Sequence, residues 1–312
     1  MRSLLGFLSV LCLLLTAGCG NVEAGAGAGT PKPGETPGPG GDDDDDDDDG
    51  STPYDPGEPP TEIGGMAVFG RFHDTHSNDF VGMVNLFPVP VPLPPTFDDV
   101  WYGSPDVPID TCLEVYPSSV GVSSNILPPS PGDLSLEGPN GTMSLSPLMG
   151  AMYMSVWNDV AMFLPVTSYT FKATGGQIEA FEHPMLSPGE VTTLTPDVTA
   201  QKPFPIARNQ PFTLTWVSVP DGNPLFLYFH QQDSPESSEY LWMCKIEDDG
   251  AFTVPADVLP HFGSTVEPWV TEDWRDGIEL RRARYGSFHP QGAVAPIITA
   301  FESGWFAEVR FQ

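Results

Sequence analysis

Proline recurs at short intervals along this chain, and that habit limits what it can fold into. There are 36 prolines in 312 residues. Each one inside a helix removes a backbone donor and clashes with the preceding turn, at about 3 kcal/mol or more. Long helices are therefore not expected. What lies between the prolines reads as strand. Met66–Phe72 and Phe80–Phe87 flank the polar stretch His73–Asp79 and form a hairpin pattern. Asp133–Gly138 and Pro139–Leu145 form a second, with Asn140-Gly141 at its turn. Thr111–Val115, Met152–Trp157, Tyr169–Ala173 and Gln177–Phe181 are further strand candidates. Pro88–Pro95 alternates proline with apolar residues, which suits an extended connector or an edge rather than a central ladder.

The Pro- and Thr-rich stretch Ser187–Pro211 is where a domain boundary is expected. Beyond it come Pro211–Trp216, a turn at Pro220–Asn223, and Leu225–His230. This alternation resembles the second and third strands of fibronectin type III or immunoglobulin-like modules, with Trp216 as the core residue. Tyr240–Ile246, Ala251–Val254, Ile278–Ala283, Ile297–Phe301 and Trp305–Phe311 would complete a sandwich, with Pro255–Phe262 as a short helical turn. The expected fold is all-β. It comprises an N-terminal β-rich, sandwich-like domain over 63–200 and an immunoglobulin-like β-sandwich over 201–312.

The first 62 residues have another character. Arg2 precedes the apolar run Leu4–Leu15, which is too short for a bilayer span of about 20 residues. It ends in Leu15-Thr16-Ala17-Gly18-Cys19. That arrangement resembles a bacterial lipoprotein signal peptide, 1–18, although Thr16 stands where the pattern most often has Leu. The resemblance implies that the Cys19 thiol carries diacylglycerol and becomes the mature N-terminus. The alternative is an ordinary secretory signal. Gly20 in place of Asp leans toward the outer rather than the inner membrane of a bacterial envelope. The segment 19–62 is rich in Gly, Pro, Ala and acid, cannot bury enough surface to order itself, and reads as a disordered tether. Its eight consecutive aspartates, Asp42–Asp49, repel one another and extend it; they lack the alternating spacing of a tight Ca²⁺ loop.

The chain has 42 acidic and 12 basic residues, net −30, and the excess extends well past the tether. Such a surface excludes nucleic acid as a partner, because phosphate binding needs basic surface. Of four cysteines, Cys12 lies in the signal and Cys19 at its end. Cys112 and Cys244 remain, either bridged, as an exported chain favours, or as two buried thiols.

No nucleophile elbow, His-Glu-x-x-His, Cys-x-x-Cys or phosphate loop occurs, and no cofactor is implied. Three constellations remain. His73, His76 and Asp79 sit on a polar loop with the spacing of a weak metal site, or simply of a solvated turn. Glu267, Glu272, Asp273 and Asp276 accompany Trp269 and Trp274, as in sugar-binding or glycosidase loops, but also as in acidic loops generally. Arg281-Arg282-Ala283-Arg284 is the chain's basic cluster. On a strand it splits between two faces, for pairing with acids in the same chain or for an acidic partner. Cys244 with Asp249–Pro255 is similar to uncharacterised lipoproteins of predatory soil bacteria, which adds no activity. The reading these features favour is a lipid-anchored envelope protein, not an enzyme, with a structural, adhesive or binding role toward a protein or glycan. The alternative is carbohydrate binding or hydrolysis at Trp269–Asp276.

Overall fold

A computed structural model of the chain describes residues 60–73, 78–92, 108–115, 127–149, 152–157, 160–192, 194–201, 203–219, 225–231, 240–264 and 276–312. Cys19, the signal and nearly all of the tether lie outside the described residues. So do His76, Glu267, Trp269, Glu272, Asp273 and Trp274.

The fold is all-β. In chain order the strands are β1 (Glu62–His73), β2 (Asn78–Pro92), β3 (Thr111–Val115), β4 (Leu134–Gly138) and β5 (Gly141–Met149). Then come β6 (Met152–Trp157), β7 (Ser168–Ala173), β8 (Phe181–Leu186), β9 (Phe204–Ile206) and β10 (Phe212–Thr215). The last are β11 (Leu225–Gln231), β12 (Tyr240–Ile246), β13 (Ala251–Val254), β14 (Gly277–Phe288) and β15 (Ile297–Phe311). Among the described residues the helical content is two single 3-10 turns, Val160–Met162 and Leu259–His261. No helix there is long and apolar enough to cross a membrane.

One large sheet runs β3-β12-β11-β14-β15-β1-β2-β6-β5-β4-β7-β8, with β9 alongside β15, and β10 and β13 make a separate pair. The parallel pairing of β1 with β15, Gly65 opposite Ile297 through His73 opposite Trp305, makes the sheet continuous across the boundary expected at Ser187–Pro211. One face carries two sandwich-like cores. Toward the N-terminal half, β4, β5, β7 and β8 fold back over β1 and β2. They enclose Phe69, Phe80, Leu136, Met143, Tyr169, Phe171 and Phe301. Toward the C-terminal half, the β10–β13 pair lies over β11, β12, β14 and β15. There Leu214, Trp216 and Phe252 meet Leu227, Phe229, Ile246, Leu280 and Val309. Trp216 is a core residue, as the resemblance of its segment implies. A third cluster, with Val68, Met83, Phe226, Met243, Tyr285 and Ala300, occupies the opposite face.

Several local features differ from the sequence expectation. Gly138 pairs with Gly141, so the hairpin turns on Pro139-Asn140 rather than Asn140-Gly141. The strand expected at Gln177–Phe181 begins instead at Phe181. Gly175, at φ +96°, turns the chain, and the Ile178 amide donates to Ser130 rather than to a ladder. Pro88, Pro90 and Pro92 lie within β2, but past Asn85, where the pairing with β6 stops. On that open side a missing donor costs little. Ile297–Phe301 and Trp305–Phe311 are one strand, β15, whose pairing with β14 continues through Glu302, Ser303 and Gly304; a Cβ at Gly304 would stand 2.8 Å from the Leu280 carbonyl oxygen.

Candidate functional site

Among the described residues, buried charge is concentrated where β14 crosses the middle of the sheet. Alternation along a strand sends Glu279 and Arg281 to one face and Arg282 and Arg284 to the other. All four are buried. On the first face the Arg281 guanidinium is forked onto Glu279. Its Nε and Nη2 both donate there, the latter at 2.7 Å, while Nη1 donates to Glu302 Oε2 at 3.3 Å. Glu302 reaches it because it stands opposite Ala283 on β15, on the same side of the sheet. The Arg281 charge also lies 5.0 Å from the Tyr228 ring centre and 5.9 Å from that of Phe72, within cation–π range.

Two carboxylates thus share one guanidinium, all three groups buried. Burial raises the Glu302 carboxyl above its usual range, tempered by Arg281. Burial likewise pushes the Tyr228 and Tyr285 phenols up. His230 shares this face of β11 with Phe226 and Tyr228 and stacks against Phe306, with ring centres 5.6 Å apart. Burial, then the Arg281 charge, lowers its pKa to about 4, so it is neutral near pH 7. A slip of β14 by one residue would exchange Arg281 with Leu280 between the faces. The cluster therefore specifies register.

On the second face Arg282 Nη2 donates to Asp248 Oδ2 at 2.5 Å. The same carboxylate accepts from Trp216 Nε1 at 2.6 Å and from the Val219 amide at 3.1 Å, and the Ser218 hydroxyl donates to the Asp248 carbonyl. Beside it, residues 187–192 cross the sheet between the two cores. Arg71 pairs with Glu190 at 2.6 Å, and His73 Nε2 lies 3.4 Å from the same carboxylate. His73 stacks on Trp305 at 4.7 Å; Trp305 Nε1 donates to the Val191 carbonyl at 2.5 Å; and the Val191 amide donates to Ser303 Oγ at 3.4 Å.

His73 is therefore part of this crossing. Asp79 stands opposite Phe72, one place out of register with His73, and so on the other face of the sheet from it. Among the described residues no group of three or more His, Cys, Asp or Glu is placed to hold a metal ion. Asp276 is buried; its Oδ2 accepts from Gln231 Nε2 at 3.1 Å, and its carbonyl from the Val309 amide. Cys112 and Cys244 face each other across β3 and β12 and are joined by a disulfide, S–S 1.99 Å. The arginine cluster was visible in the sequence, but its partners Asp248, Glu279 and Glu302 were not. Asp248 sits in a turn-like Asp-Asp-Gly, and Glu302 lies 21 residues from Arg281.

No family model matches the chain, and no curated protein matches it. Among solved structures it is similar to the chicken CNTN1 FN1–FN3 domains, at 8% identity, over 78% of this chain and 68% of that one. The TM-score is 0.22.

Proposed function

We propose that the chain is an exported, lipid-anchored envelope protein with a structural, adhesive or binding role. The observation that carries this reading is the bridge between Cys112 and Cys244. Disulfides of this kind persist in oxidising, extracytoplasmic compartments and are rare where thiols are kept reduced. It joins segments with a sequence separation of 132 residues. The lipobox-like end of the apolar run at Cys19 supports the same reading from the sequence. Acyl burial at roughly 0.8 kcal/mol per CH₂ makes two or three chains a stable anchor. The acidic, proline-rich stretch behind Cys19 would act as a spacer, with the outer membrane as the favoured attachment. The all-β body would then present its sheet edges and loops to a protein or glycan.

Fractionation of cells producing the wild-type chain and Cys19→Ser tests the anchor. Wild type should sediment with membranes and the variant should move to the soluble fraction. A variant that still sediments with membranes, and resists extraction at high salt, would end the lipid-anchor reading.

A further inference from the structure

We infer that β3 is a redox latch: a short strap that the Cys112–Cys244 bond holds over the edge of β12, and that reduction releases. β3 is five residues long, forms one end of the sheet path and pairs with β12 alone, Thr111 opposite Lys245 through Val115 opposite Leu241. Its described side chains, Thr111 to Glu114, are only half-buried, whereas Met243 and Cys244, opposite Leu113 and Cys112 on β12, are fully buried. Cys112 and Leu113 lean on the margins of two different cores rather than entering either. Beyond the disulfide and the ladder, Asp110 adds a further hold across this edge among the described residues. Its amide donates to the Lys245 carbonyl at 2.8 Å, and its Oδ1 accepts from the Glu247 amide at 3.1 Å. Ordering an edge strand this short costs about as much as its few cross-strand pairs return. The covalent bond therefore decides whether it stays docked.

Reduction balances simply. A dithiol reductant supplies two electrons and two protons and becomes a cyclic disulfide, the S–S bond breaks, and Cys112 and Cys244 end as thiols. Attack falls on the half-buried Cys112 sulfur, with Cys244 as the leaving thiolate. Release of β3 would expose the backbone donors and acceptors of β12, an edge able to accept another extended strand. Strands β14 and β15 lie inside the sheet and would be unaffected.

Hydrogen exchange on the whole chain, oxidised and after treatment with dithiothreitol, tests the latch. The β12 amides bonded to β3 should exchange at least tenfold faster after reduction, with β14 and β15 unchanged. The Cys244 thiol should alkylate with N-ethylmaleimide in native buffer within tenfold of the rate at Cys112. Cys112→Ser should reproduce the exchange pattern without reductant. Unchanged β12 protection, with Cys244 alkylating only in denaturant, would overturn the inference by showing that pairing alone holds β3. Loss of protection in β14 and β15 together with β12 would also overturn it, because the bond would then be a staple for the whole fold.

Discussion

The two cores on the shared face are built on different principles. The N-terminal one has a local cover: β4 pairs with β5, β5 with β6, and β7 with β8, each across a short connection. Its interior is a cluster of rings, with Phe301 facing Tyr169 at 4.9 Å and Phe69 facing Phe171 at 5.4 Å. The C-terminal core is non-local. Its covering pair joins β10 to β13, β3 reaches β12 from far upstream, and one carboxylate, Asp248, holds Trp216 and Arg282 together. An apolar core whose covering strands are neighbours in sequence uses no buried ion pair of this kind among the described residues. One whose cover comes from distant segments uses a buried charge pair to choose among arrangements that burial alone would leave close in energy.

The largest effects should come from attacking each core by its own principle. Asp248→Ala leaves the Arg282 charge buried without its carboxylate, which costs about 3–5 kcal/mol. Phe171→Ala opens a cavity in the ring cluster at a similar cost of about 3–5 kcal/mol. Denaturant unfolding gives the totals. Hydrogen exchange should place the losses in β10 and β13 for the first variant and in β4 and β7 for the second. Uniform loss in both would show that the shared sheet couples the cores into one unit.

A smaller effect concerns the face of β14 that carries Arg281. His230 titrates at about 4 when folded and near 6.5 when unfolded. The unfolded chain therefore binds the extra proton between those values, and stability falls as pH drops through that window, by up to about 3 kcal/mol. Glu302, whose carboxyl is raised by burial, acts in the opposite sense: it favours the folded state below its unfolded pKa and loses that contribution as pH rises. The difference between wild type and His230→Gln isolates the histidine. Unfolding curves from pH 4 to 7 should show a shallower acid loss for the variant, and equal slopes would refute the assignment.

The smallest effect concerns the crossing between the cores. Glu190→Gln weakens the bond to Arg71 and should cost about 1 kcal/mol. Faster exchange should be confined to the Val191 amide and its neighbours. If both cores loosen instead, the crossing is a shared support rather than a local seam.

By itself the sequence determined the class of fold, most strand positions, and the division of the arginine cluster between two faces. Each of these follows from period-2 alternation and from proline's missing donor, which act over a few residues. Only the tertiary structure decided that β1 lies beside β15, that β10 leaves the main sheet to pair with β13, and which acids meet which arginines. Nothing local distinguishes Glu302 or Asp248 from the chain's many other acids. Their selection depends on strand order and register, which are set by burying all three apolar clusters at once. The same reason places His73 in the crossing with Glu190 and Trp305 while Asp79, six residues on, takes the other face.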